Sequence, residues 1–133
     1  MSIKRVNDWI VYGKEALIAA DIAANNKIVK TFRGHISTFG AAVTMGNLKS
    51  AVAFFSEQAG ATVARERLLR AICYVLLRNS GKEPDEIDAK KIKTDEIFDY
   101  VCSHDSIQLK NAFVDASLAL KLAMNLFELV KED

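Results

Sequence analysis

One proline and six glycines in 133 residues leave little material for loops, and two cysteines cannot build a disulfide framework. No segment approaches the roughly 18 uninterrupted apolar residues that a spanning helix needs. No N-terminal stretch joins a basic flank to a long apolar run, as a secretory signal would. A cytoplasmic location is expected. Cys73 and Cys102 fall inside helical patterns and lack metal-clip spacing, so both are expected as buried thiols.

Catalytic and ligand motifs are equally scarce. Ser103-His104-Asp105 has the letters of a triad, but a working triad is assembled from separated positions. His35 borders an apolar row and reads as a boundary residue. The acids Glu83, Asp85, Glu86 and Asp88 lack the glycine and closing glutamate of a calcium loop. The glycines form no phosphate-cradling loop followed by Lys-Ser or Lys-Thr. The expectation is a chain with no enzymatic activity, no metal and no cofactor.

What is present is helical periodicity. Half of the residues are apolar and 26% are charged, the balance of a folded globular domain rather than a disordered one. The length suits a single domain spanning residues 1–133. Ile3, Val6, Ile10, Gly13, Leu17, Ala20 and Ala24 recur at spacings of three and four, predicting a first helix from Ile3 to Ala24 that stops at Asn25-Asn26. A second helix, Lys27 to Val43, carries Ile28, Phe32, Ile36, Phe39 and Val43, with Gly34 and Gly40 marking one close approach and one bend. Met45-Gly46-Asn47 is the next turn. A short apolar helix from Leu48 to Gln58 is expected at the centre of the core, with Phe32, Phe54 and Phe55 as packing residues.

Thr62 is placed as the cap of a fourth helix reaching Asn79, closed by Ser80-Gly81. Residues 82–93 form the one long loop, with a short helical turn near Ile87–Ile92. Thr94 caps a fifth helix to Cys102. Asp105 or Ser106 caps a sixth, whose stripe of Leu109, Phe113, Ala116, Leu120, Ala123, Phe127 and Val130 runs to Val130. The long first and last helices are expected as antiparallel neighbours. No alternating window predicts a strand. The fold class expected is all-α, a compact five- to six-helix bundle with long first and last helices.

Charge is unevenly distributed. Residues 1–26 are neutral overall. Residues 27–79 carry eight basic residues against Glu57 and Glu66, a net +6, and residues 80–133 carry seven against twelve acids, a net −5. At 100° per residue, Arg67, Arg70 and Arg78 fall within about 80° of one another on the fourth helix. Lys27, Lys30 and Arg33 form a ridge on the second helix, and Lys49 opens the third. Guanidinium forks and ammonium groups on a rigid scaffold suit a phosphate backbone, so these seven residues form the expected RNA-binding set.

Residues 28–56 resemble the small α-helical subunit of the type III-B (Cmr) CRISPR effector complex. In that register Phe32 stands for the family's aromatic residue and Phe39-Gly40 for its Leu-Pro bend. Gly46-Asn47-Leu48 stands for its Asn-Gly-Leu turn, in reversed Gly/Asn order, and Ala51-Val52-Ala53-Phe54 for the apolar helix that follows. The resemblance implies a non-enzymatic subunit of an antiviral ribonucleoprotein. Its partners would be the other subunits, further copies of itself within the complex, and the backbone of the guide RNA–target RNA duplex. The competing expectation is a helical adaptor, or a small subunit of another CRISPR type, making only protein–protein contacts.

Overall fold

The fold is that of a computed structural model, which describes residues 2–56 and 64–131. Ser2 accepts a hydrogen bond from the Arg5 amide and starts α1, Ile3–Ala19. The helix stops five residues earlier than its periodicity suggests, because Asp21 adopts the left-handed conformation (φ 62°). The Ile22 amide bonds the Leu17 carbonyl and the Asp21 amide bonds that of Ile18, which is a Schellman closure with the buried pair Leu17 and Ile22 across it.

The reversed chain enters β1, Ala23–Ala24, and returns through Asn25-Asn26 (φ 53° and 63°) into β2, Lys27–Val29. Two consecutive left-handed residues between paired strands make a type I′ hairpin, and asparagine tolerates that conformation better than other side chains with a Cβ. The tolerance expected of a helix stop therefore serves a strand turn. Lys27 lies on a strand, not on a helix.

Next come α2, Thr31–Met45, and α3, Leu48–Phe55. α2 runs through Gly34 and Gly40 without a break, and Gly40 faces Ser117. Asn47 caps α3 by accepting from the Ser50 amide at 2.8 Å. A Cβ at Gly46 would lie 2.8 Å from the Ala42 carbonyl oxygen, so this turn requires glycine. α3 is amphipathic rather than central: Leu48, Ala51, Val52 and Phe55 are buried, while Phe54 is 51% exposed. Thr62 and the end predicted at Gln58 lie outside the described residues.

α4, Glu66–Asn79, closes at Ser80-Gly81 by the same Schellman pattern, with Lys82 bonded to Leu77 and Gly81 to Arg78. The loop holds two short 3-10 turns, Pro84–Glu86 and Ala89–Lys91. α5, Thr94–Ser103, begins after Lys93, with no side-chain cap from Thr94. Ser106 accepts from the Leu109 amide at the start of α6, Ile107–Ala123. The chain then leaves the helix through a 3-10 turn, Met124–Leu126, and forms β3, Glu128–Val130. The apolar spacing predicted helix to Val130; Phe127 remains buried there, on non-helical backbone.

The fold is thus predominantly helical, but a three-stranded sheet of order β1-β2-β3 corrects the all-α expectation. β1 pairs antiparallel with β2, and β2 pairs parallel with β3, Ile28 opposite Leu129. Strands of two and three residues are too short to display alternation in a sequence.

α6 takes the central place expected of α3: it packs on α1, α2 and α4 and buries Phe113, Asp115, Ala116, Ala119, Leu120 and Ala123. α1 and α6 are neighbours as predicted, but parallel. Arg5 reaches Asp115, and eight residues later Gly13 meets Ala119 and Ala123. The sheet makes this possible, since both helices end beside it and β1 and β3 lie on either side of β2.

Candidate nucleic-acid interface

The seven basic residues divide into two groups. Those on α4 are each engaged by other segments of the protein. Arg67 donates to the Asp21 carbonyl oxygen at 2.8 Å and lies 3.7 Å from its carboxylate, clamping the turn after α1. Arg70 Nε donates to the Ile92 carbonyl at 2.9 Å and fixes the loop before α5. Arg78 is the most enclosed: its Nε donates to Glu15 at 2.9 Å, its Nη1 donates to the Lys82 carbonyl at 3.0 Å, and its guanidinium lies 4.6 Å from the Tyr12 ring centroid. The Glu15 hydrogen bond and charge hold its pKa above the ordinary arginine value. The shared helical face predicted from the wheel exists, but it faces protein groups on three other segments.

The second group lies on β2, α2 and α3. Lys27 and Lys30 are exposed and make no side-chain hydrogen bond or ion pair among the described residues. Arg33, half-buried, donates to the Asn125 amide oxygen, a neutral partner that leaves its charge uncompensated. Lys49 lies 3.4 Å from Asp105, with both side chains about half exposed. No aspartate or glutamate occurs between Asp21 and Glu57, so the outer surface of β2, α2 and α3 carries positive charge without a carboxylate of its own. Along α2 it presents Ser37, Thr38 and Thr44, whose hydroxyls bond back to carbonyls of the same helix at 2.8–3.2 Å.

One aromatic feature differs from expectation. Phe32 and Phe55 are buried as packing residues, but Phe54 is at the surface with the Arg65 guanidinium 4.3 Å from its ring centroid. His35 is half-buried and edge-on to Phe55. Cys102 is exposed, contrary to prediction. Cys73 is half-buried, and burial pushes its thiol up to about 11, which keeps it protonated and unreactive near neutrality.

The Ser103-His104-Asp105 run has no mutual hydrogen bonds. Ser103 donates to the Asp99 carbonyl, His104 Nδ1 lies 3.0 Å from the Tyr100 carbonyl, and Asp105 faces Lys49. Glu86 accepts from the Glu83 amide in a capping box, a structural use for the loop acids. Among the described residues, no group of three or more His, Cys, Asp or Glu side chains could hold a metal ion, and no helix is long and apolar enough to cross a membrane.

Sequence reasoning missed Asp115. It is fully buried within the stripe of α6, where it accepts from Arg5 and from the Ser2 amide. Its place among Val114, Ala116 and Ser117 gives no sign of the partner 110 residues away. Comparison with protein-family models, curated proteins and solved structures gives no match.

Proposed function

We propose that this chain is a non-catalytic, cytoplasmic RNA-facing small subunit of a type III-B (Cmr) CRISPR effector complex, built as a helical bundle braced by a small sheet. The outer surface of β2, α2 and α3, a segment with no carboxylate of its own, would lie along the guide RNA–target RNA backbone. The observation that carries this reading is the state of Lys27, Lys30 and Arg33: they share one continuous segment, and none is paired with an acid. A surface of cations and small hydroxyl residues attracts phosphates without reading bases, as a subunit serving every guide must do. The likeness of residues 28–56 to the family adds support, since Gly46 and Asn47 build the turn before α3 that the family also has. The protein contacts of Arg67, Arg70 and Arg78 narrow the proposed RNA surface to the second group, with Lys49 at its margin.

The test is to replace Lys27, Lys30 and Arg33 together with alanine and to measure binding of the assembled complex to target RNA against salt. Removing one phosphate-binding cation lowers the slope of log affinity against log salt by about 0.7–0.9, so the triple variant should lose about 2–3. An unchanged slope with normal incorporation would favour the adaptor reading, in which the chain touches only protein. A chain that does not join the other effector subunits on co-expression would remove the complex itself from the proposal.

A further inference from the structure

α1 leaves one face uncovered. Ile3 is 69% exposed, Val11 63% and Ile18 55%. With Asn7, Ile10 and Lys14 they form a stripe at positions 3, 7, 10/11, 14 and 18, the alternating spacing of a coiled-coil seam. Except at Ile10, which is partly buried against the core, it lies away from the face that packs on α4 and α6, where Val6, Trp9, Gly13, Ala16 and Leu17 are buried. Lys4 is paired with Asp8 beside the stripe, so Lys14 is its only charge. Neither Asn7 nor Lys14 has a side-chain partner among the described residues.

The stripe is self-complementary in one direction. Laid antiparallel on itself about a two-fold axis between Ile10 and Val11, it brings Ile3 onto Ile18 of the other copy, Ile10 onto Val11, and Asn7 onto Lys14. Every apolar residue meets an apolar one, and each ammonium meets an amide carbonyl. Laid parallel, the same stripe opposes Lys14 with Lys14, a like-charge contact that disfavours that arrangement. Such an isologous contact closes at two chains.

We propose that a second copy of this chain covers the exposed stripe of α1, forming an antiparallel, two-fold symmetric helix pair in the free protein. A 17-residue helix is about 26 Å long, so the contact falls at the small end of specific interfaces and the dimer is reversible and concentration-dependent. The inference stands on the stripe alone and does not depend on the RNA reading.

Sedimentation of the full chain over a wide concentration range should show a monomer–dimer equilibrium. Val11→Arg should shift it at least tenfold toward monomer with an unchanged circular dichroism spectrum. Asn7→Glu, which places a carboxylate opposite Lys14, should tighten the dimer severalfold at low salt. Register is read by disulfide trapping in a Cys102→Ser background. Val11→Cys should cross-link to itself. Ile3→Cys and Ile18→Cys should each stay monomeric alone, because equivalent positions lie about 22 Å apart along the pair, and should cross-link when mixed. A chain that stays monomeric at millimolar concentration overturns the proposal. So does a dimer insensitive to Val11→Arg, or one in which Ile3→Cys cross-links to itself.

Discussion

Arg5 holds Asp115 with two nitrogens, Nη2 at 2.6 Å and Nε at 2.8 Å, and the carboxylate it holds is wholly buried. The pair joins the first turn of α1 to the middle of α6, and the Ser2 amide adds a donor 3.3 Å from each carboxylate oxygen. A buried carboxylate deprived of its guanidinium keeps its desolvation cost and loses its compensation. Arg5→Ala should therefore destabilise the chain by about 3 kcal/mol or more. The double change Arg5→Met with Asp115→Leu removes both charges and should recover most of that loss. Urea midpoints of the three proteins check this; a double variant no better than Arg5→Ala would show that the pair does more than satisfy itself.

The parallel approach of α1 and α6 depends on Gly13. A Cβ there would lie 3.2 Å from the Ala119 carbonyl oxygen and 3.3 Å from the Ala123 methyl. At Gly34, on the outer side of α2, a Cβ would meet nothing within 4 Å. Both glycines sit in helices, where alanine is favoured by about 1 kcal/mol. Gly34→Ala should realise that gain as a higher melting temperature. At Gly13 the gain is offset by crowding, and Gly13→Val should cost about 1–3 kcal/mol through overpacking. Equal effects of Gly13→Ala and Gly34→Ala in thermal melts would contradict the close approach.

Much of this helix scaffold was legible because each helix carries its own signals. Ser106 and Asn47 cap through side-chain oxygens, Ser80-Gly81 closes α4, and the stripe of α6 is buried where periodicity places it, as is that of α1 from Val6 through Gly13 to Leu17, though not at Ile3. Direction was not legible: a three-four stripe reads the same for parallel and antiparallel neighbours, and the connection that sets it passes through the short strands. Those strands escaped notice because Asp21, Asn25 and Asn26 redirect the chain within six residues. The candidate interface was half legible. Sequence shows where Arg67, Arg70 and Arg78 sit on a wheel, but not that Asp21, Ile92 and Glu15 come to meet them. The absence of acids around Lys27, Lys30 and Arg33 is a local property of the sequence; in the fold Glu128 comes opposite Lys27 across β2 and β3, without forming an ion pair.

Tyr74 gives the chain an alkaline limit. Its hydroxyl donates to Glu15 at 3.1 Å. Burial first, then the hydrogen bond and charge of Glu15, push it up to about 12, with Arg78 acting in the opposite direction. Between pH 10 and 12 the unfolded chain releases this proton while the folded chain keeps it. The folded state then binds more protons, and stability falls as pH rises through that window. Tyr74→Phe should cost about 1 kcal/mol at pH 7, through loss of the hydrogen bond, and should show a shallower decline above pH 10. Urea midpoints at pH 9, 10 and 11 for both proteins measure the difference. A decline equally steep in Tyr74→Phe would assign the alkaline loss to other groups.

The arginines of α4 allow stability and RNA affinity to be separated. Arg78 carries the most internal contacts, and its removal leaves Glu15 beside Tyr74 without a cation. Arg78→Ala should lower the urea midpoint the most of the three. Arg67 bonds an exposed turn, and its side chain is 39% exposed, so Arg67→Ala should cost less than about 1 kcal/mol. Arg70→Ala should fall between the two, releasing the loop at Ile92, with faster amide exchange at Lys93 and Thr94. If these guanidiniums are committed to the fold, the three variants should leave the salt slope of RNA binding unchanged in assembled complexes, while Lys27→Ala and Lys30→Ala should lower it without a loss of melting temperature. Stability and slope measured on the same five proteins settle the division. Arg67, Arg70 and Arg78 variants that keep their stability and lose slope would move the RNA surface to α4.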